Sequence, residues 1–302
     1  MDNEWEVIIV GAGPAGLSAA LILGRCRRRV LIVDTDKPRN WASQGVHGFL
    51  TRDGISPKEL RRLGREELDE YDSVRLKPLE AKAARPVKNG FAVTLCDNSR
   101  HRCRKLLLAT GVVDELPQVD GLLELYGTSV FHCPYCDAWE CRDQPLAVYS
   151  RSSKNAAGLA LNLTQWSRDL VVCTDGRRLS ADVAARLAGH KIGLRQEPIL
   201  RLEGERGQLR RIVFASGEPV ERRFMFFSSG QHHSSNLAAK LGCNFTRKGA
   251  VHTGAYEVTN IPGLYVAGDA SRLVQLAIVA ASEGAQAAFS INKALTDEDL
   301  HL

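Results

Sequence analysis

Apolar residues recur along the chain in a rhythm that repeats once. Residues 5–10 are apolar and β-prone. They pass at once into Gly11-Ala12-Gly13-Pro14-Ala15-Gly16 and then into 17–25, where the apolar positions take helical spacing. A second apolar strand, Val30–Val33, ends on Asp34. The opening therefore predicts strand, tight turn, helix, strand. Residues 37–56 carry no period and read as loop, and 57–71 predict an amphipathic helix with an Arg- and Glu-rich outer face. Short strands are expected around 91–95 and 105–108, the latter running into Ala109-Thr110-Gly111. After the turn-rich stretch 115–121 the rhythm returns as a strand at Leu146–Tyr149, a helix near 155–166 and a strand at Leu170–Cys173. Past Gly242-Cys243-Asn244 come residues 263–269 and an Ala-rich helix from about Gln275 to Ala294. Two βαβ units predict an α/β chain of two doubly wound, Rossmann-like domains with three-layer ββα architecture. The second is read as inserted into the first, with 1–115 and 246–302 forming one domain and 116–245 the other.

Composition narrows the classes. The 302 residues are 44% hydrophobic and 25% charged, usage that excludes collagenous and largely disordered chains. Apolar stretches such as 15–23 are far shorter than the roughly 18 residues of a membrane span, so no membrane-spanning role is expected. The net charge of +5 comes from Arg doublets and triplets, among them Arg27–Arg29, Arg177–Arg178 and Arg222–Arg223. These lack aromatic interleaving or a nucleic-acid motif, so they read as solvated helix ends and no nucleic-acid partner is expected. Residues 1–6 carry three acids where a secretory signal places positive charge, and the expected compartment is cytoplasmic. The eight cysteines are scattered apart from one Cys-x-x-Cys pair, and a chain of this size needs no disulfide scaffold.

The Gly11-x-Gly13-x-x-Gly16 string is weak alone, but its context strengthens it. It follows a strand, opens a helix with Pro14 and Ala15, and precedes a strand that ends in Asp34, eighteen residues after Gly16. Helix N-terminal amides there can receive a pyrophosphate, Gly13 allows close backbone approach, and the acid suits a ribose hydroxyl. The pair in Phe131-His132-Cys133-Pro134-Tyr135-Cys136-Asp137 can close a reversible disulfide. Three other readings stand beside that one. They are a zinc half-site, for which Cys103 and Cys141 give no matching second pair, two inert core thiols, and a glutaredoxin-like site. No metal ligand set is assigned.

Three segments, the glycine string, 106–111 ending Ala109-Thr110-Gly111, and 259–269 ending Gly268-Asp269, together resemble the FAD-binding segments of flavoproteins with two dinucleotide folds. The resemblance implies that Asp269 contacts the ribityl chain of FAD and that the helix start at Gln275, Leu276 and Ala277 faces the flavin. The Cys pair lies just before the second nucleotide-type strand, where thioredoxin reductases of the low-molecular-weight type carry their redox disulfide. Nearly the whole chain is similar to that family. The resemblance implies that Cys136 faces the flavin, Cys133 exchanges with substrate and Asp137 serves as acid–base. His132 is a candidate proton relay, with a positioned but inactive neighbour as the other reading, and the surroundings of the pair are most similar to the branch with gliotoxin-type disulfide oxidases.

The chain departs from that family in its second loop. Where the NADPH-binding Gly-x-Gly-x-x-Ala string belongs, Ser150, Ser152 and Asn155 stand instead, and Asp175 occupies the neighbourhood of a 2′-phosphate. Arg151, Lys154, Arg177 and Arg178 would restore positive charge there. His47 lies near a position that approaches the flavin in the family, and His232 and His233 read as surface or packing residues. The expected function is an FAD-dependent thiol–disulfide oxidoreductase that works without NADPH, as a homodimer. Its substrate would be a thioredoxin-like protein or a small dithiol or disulfide, with ferredoxin or oxygen as the other redox partner. An NADPH-dependent thioredoxin reductase and a flavoprotein redox sensor are the alternatives.

Overall fold

In a computed structural model, which describes residues 4–301, the chain packs as two compact units. The first comprises the described residues of Met1–Trp41 and His232–Leu302 together with Phe49–Val113; the second comprises Ala42–Gly48 and Asp114–Gln231. Met1–Asn3, half of the acidic N-terminal stretch, and Leu302 lie outside the described residues.

The chain opens with β1 (Glu4–Val10), α1 (Pro14–Arg25), β2 (Val30–Val33), α2 (Pro57–Glu66) and β3 (Val74–Lys77). A meander follows of β4 (Ala81–Val87), β5 (Gly90–Leu95) and β6 (Arg100–Leu108), and then β7 (Val112–Asp114). Helix α2 stops at Glu66, earlier than its apolar spacing predicts, because 67–71 fold as turns that bury Leu68. Strand β6 is longer than 105–108 because its first half pairs antiparallel with β5.

The second unit holds β8 (Val130–Phe131), α3 (Pro134–Asp137), β9 (Leu146–Tyr149), α4 (Ser153–Leu163), β10 (Leu170–Cys173), α5 (Ala181–Gly189) and β11 (Gly193–Arg195). Antiparallel β12 (Ile199–Glu205), β13 (Gln208–Phe214) and β14 (Val220–Glu221) lead to β15 (Phe224–Phe227). Its parallel sheet runs β11-β10-β9-β15-β8. One face of that sheet, including Ala147, Val171 and Phe227, packs on Leu202, Leu209 and Ile212 of the antiparallel layer. The other, including Val148, Val172 and Phe226, packs on Ala156, Ala160 and Leu187 of the helices. This is the expected ββα layering.

The chain returns through β16 (Gln231–His233), α6 (Leu237–Lys240), β17 (Leu264–Val266) and α7 (Ala277–Asp299). It re-enters the first unit at His232, ahead of the turn at 242–244, because Leu237, Ala238, Leu241 and Cys243 are buried with Ile8, Val10 and Leu108. In the first unit β3, β2, β1, β6 and β17 are parallel, with Val10 beside both Val33 and Leu108, and Leu108 beside Val266. Sheet faces covered on both sides explain continuous apolar runs such as Val7–Val10. Helices α1 and α7 cross tightly at Gly284, where a Cβ would overlap the Ala15 carbonyl. Helix α7 runs on to Asp299, where Arg104 meets Glu298 and Arg28 meets Asp299, each at 2.8 Å. No helix among the described residues is long and apolar enough to cross a membrane.

Candidate functional site

The register brings the C-terminal ends of β1, β2, β6 and β17 to one edge, so Gly11, Asp34, Ala109 and Gly268 all open onto it. Crevices at strand C-termini are where such sheets bind ligands. Gly11, at φ 106°, lies so close to Ala109 that a Cβ would overlap its carbonyl, and a Cβ on Gly16 would overlap the Gly11 carbonyl. Neither position can take a side chain without the backbone around it shifting. Gly13 differs, because its φ of −75° suits any residue and nothing lies within 4 Å of where its Cβ would be.

Gly13 is also the N-cap of α1, with Pro14 at the first helical position, and no side chain caps that helix start. Open space beside uncapped amides fits a pyrophosphate. Asp34 closes the turn by accepting the Ala12 amide at 3.0 Å and is itself held by Arg65 at 3.0 Å. Thr110 is bound through its carbonyl by the Ser234 hydroxyl, and Gly111 again has open space.

At the other end of the edge, Arg39 donates to Asp269 Oδ2 at 2.8 Å and to Gln275 Oε1 at 2.7 Å. Gln275 Nε2 reaches back to the Asp269 carbonyl at 3.2 Å. Leu276 is the N-cap of α7, and that start too has no side-chain cap. Beneath it the Gly268 amide donates to Glu283 at 2.7 Å. Glu283 is 4% exposed, and burial pushes it up to about 7 although Arg272 bonds it at 2.8 Å. The same Arg272 holds buried Glu257 with bonds of 2.6 and 2.7 Å.

In the second unit β9 leads into Ser150 as β1 leads into Gly11, and Ser152 is the N-cap of α4 where Gly13 is that of α1. Here the loop is occupied by its own side chains. Ser150 is fully buried and its hydroxyl accepts the Ser152 amide at 3.3 Å, while the Ser152 hydroxyl accepts the Asn155 amide at 3.4 Å. Asp175 accepts from the Tyr149 hydroxyl at 3.2 Å and the Ile199 amide at 3.0 Å.

Cys133 and Cys136 form a disulfide, with Cα atoms 5.3 Å apart. Cys133 is the N-cap of α3 and Pro134 its first residue, so the bridge spans a single helical turn. Asp137 follows directly. Desolvation pushes its carboxyl up to about 7; His47 draws it down and Glu140 pushes it further up. His47 lies in the Ala42–Gly48 part of this unit, with Nε2 3.7 Å from Glu140. His132 is held by the Tyr126 hydroxyl at 3.2 Å and by Asp114 at 3.6 Å. No group of three or more His, Cys, Asp or Glu among the described residues is arranged to hold a metal ion.

A model of the pyridine nucleotide-disulphide oxidoreductases matches residues 5–284. The chain belongs to that family. A protein of Arthroderma benhamiae named as a probable thioredoxin reductase is 29% identical across 89% of this chain and 75% of its own length. Thioredoxin reductase aclD of Aspergillus oryzae is 27% identical across 95% of each chain. The solved structure of HlmI matches with a TM-score of 0.94 at 34% identity, over 100% of this chain and 95% of that one.

This disulphide oxidoreductase thus carries a formed Cys133–Cys136 disulfide, and its family normally binds a flavin. Several residues at these sites carry no sequence signal. Arg39 lies in a stretch without period, 230 residues from Asp269. Glu283 stands among small residues of α7, where a lone acid between Ser282 and Gly284 reads as solvent-facing. Its one legible hint is that Gly284 must abut Ala15, which turns that face inward.

Proposed function

We propose that this disulphide oxidoreductase holds FAD along Gly11–Gly16, Asp34, Ala109–Gly111 and Gly268–Asp269 and exchanges electron pairs through Cys133–Cys136 with an external dithiol or disulfide, without nicotinamide as reductant. The observation that carries this reading is the contrast between two helix starts at matching positions. At Gly13 the amides of α1 are uncapped beside open space, whereas at the second loop the Asn155 amide of α4 is already bonded by the Ser152 hydroxyl and the Ser152 amide by the hydroxyl of buried Ser150. A pyrophosphate at the second loop would have to displace bonds that the first loop leaves to be made.

Bound FAD supplies two-electron storage. The chain's own residues do the rest. Arg39 fixes Asp269 for the ribityl chain, the start of α7 at Gln275, Leu276 and Ala277 presents amides to negative charge on the ring, and Glu283 holds the Gly268 amide. Cys136 would be the sulfur that exchanges electrons with the flavin and Cys133 the one that exchanges with substrate, while Asp137 would give its proton to, or take it from, the sulfur that changes charge. His132, fixed by Tyr126 and Asp114, positions the strand end that carries Cys133.

The external partner in this reading is a thioredoxin-like protein or a small dithiol, with ferredoxin or oxygen at the other end of the chain of electron transfer. The molecule works as a homodimer in the cytoplasm. Anaerobic titration of the flavin with NADPH, NADH, dithiols and reduced ferredoxin in parallel tests the assignment. Bleaching by dithiol and not by nicotinamide is the expected pattern, and bleaching by stoichiometric NADPH would reverse it.

A further inference from the structure

Ala42–Gly48 lies in sequence between β2 and α2 of the first unit yet packs as part of the second. It is pinned there at both ends. Gly127, at φ 80°, lies so close to Ala42 that a Cβ would overlap its carbonyl, and Val46 is buried. The far end brings His47 Nε2 to 3.7 Å from the Glu140 carboxylate, on the loop that follows Asp137. That loop is tied back to the redox helix, because the Cys141 thiol donates to the Asp137 carbonyl at 3.2 Å. The groups facing Asp137 are then His47 from the pinned segment, Glu140 from the loop, and the Cys141 thiol, which burial keeps protonated.

We propose that His47 and Glu140 are opposed positioning residues for the Asp137 proton. Protonated His47 draws that proton off the carboxyl and Glu140 holds it on. Segment 42–48 thereby sets the pH at which the Cys133–Cys136 pair is ready to turn over. The inference rests on the acid–base role given to Asp137 above. In the reductive direction two electrons from a dithiol or from reduced flavin break the S–S bond. One sulfur leaves as thiolate. The other forms an S–H bond with the proton whose O–H bond on Asp137 breaks, which leaves a carboxylate beside His47. Oxidation of the pair returns the proton to Asp137. A single cation close to a desolvated carboxyl is enough to move its titration by on the order of one pH unit. Glu140, an exposed anion, acts with the opposite sign.

The test is infrared titration of the protonated carboxyl stretch in the oxidised holoenzyme, with the Asp137 band assigned by its loss in Asp137→Asn. His47→Gln is expected to raise the midpoint by on the order of one unit. Glu140→Gln, at an exposed site that tolerates substitution, is expected to lower it, and His47→Lys is expected to bring it back toward the parent. Midpoints unchanged in both glutamine variants, or moved in the same direction, overturn the proposal. Turnover of Asp137→Asn is measured alongside. Full activity there with opposed band shifts would remove the acid–base role and leave the charge pair. Lost activity with unshifted bands would leave the acid–base role and remove the pair.

Discussion

Arg39 and Asp269 meet at 2.8 Å although the loop and the strand end that carry them are far apart in sequence, and the same guanidinium binds Gln275. One arginine therefore fixes the acid assigned to the ribityl chain and the turn that starts α7. Both groups of the ion pair are largely shielded, with side chains 16% and 19% exposed, so the pair is worth more than a surface bridge.

Replacing Arg39 by Ala removes two charge-assisted hydrogen bonds of roughly 1.5–3 kcal/mol each. We expect FAD affinity to fall at least about tenfold, since about 1.4 kcal/mol is a factor of ten. Arg39→Lys should recover part of that loss through its charge. Titration of apoprotein with FAD by flavin fluorescence checks this, and an unchanged dissociation constant in Arg39→Ala would remove Arg39 from the site.

The three glycines of the first loop should separate into two kinds. Gly16→Ala sets a Cβ against the Gly11 carbonyl and should cost about 1–3 kcal/mol of stability, as overpacking does. Gly13→Ala meets nothing in the folded chain, so it should melt with the parent when free of flavin yet bind FAD more weakly. Calorimetry of the apoproteins beside FAD titration reads both effects. A Gly13→Ala apoprotein destabilised as much as Gly16→Ala would contradict the distinction.

Much of this was legible in the sequence, and the reasons are local. The glycine string, the apolar strands around it and the Cys-x-x-Cys turn each act within a few residues, so pattern alone exposes them. Arg39 and Glu283 act through partners brought in by the fold, and their own neighbourhoods look like loop and solvent-facing helix. The ββα layering was expected, but the individual strands β12–β14 were not placed, because Arg and Glu outnumber their buried residues, with Ile199, Leu202, Leu209 and Ile212 spaced among them. The return at His232 was hidden because the turn at 242–244 is the stronger local signal, while burial of Leu237 and Leu241 is a tertiary fact.

Cys133 and Cys136 should not be interchangeable. Cys133→Ser leaves the thiol assigned to the flavin side and should give a long-wavelength thiolate-to-flavin absorption band, whereas Cys136→Ser should not. Matching spectra from the two variants would exchange or cancel the assignment.

Asp137 should make stability pH-dependent in a defined direction. Its carboxyl is held up near 7 by burial, so the folded state favours the protonated form. That contribution is fully present below the ordinary carboxylate range and is lost as pH rises through about 7. Asp137→Asn stays neutral throughout. Its stability relative to the parent should therefore rise between about pH 4 and pH 7, by up to about 1.4 kcal/mol per unit and on the order of 2 kcal/mol in all after solvent screening. Denaturant unfolding of both proteins at several pH values checks this, and a constant or falling difference would contradict it.

The central claim, a flavin served by Cys133–Cys136 and not by nicotinamide, is tested most directly by anaerobic stopped-flow absorbance of the flavin. Millimolar NADPH or NADH should leave it oxidised on the timescale of turnover, while a suitable dithiol should reduce it in the parent and fail to do so in Cys133→Ser. Reduction by NADPH within a second, saturating at micromolar concentration, would contradict the account and make the second loop a working nucleotide site.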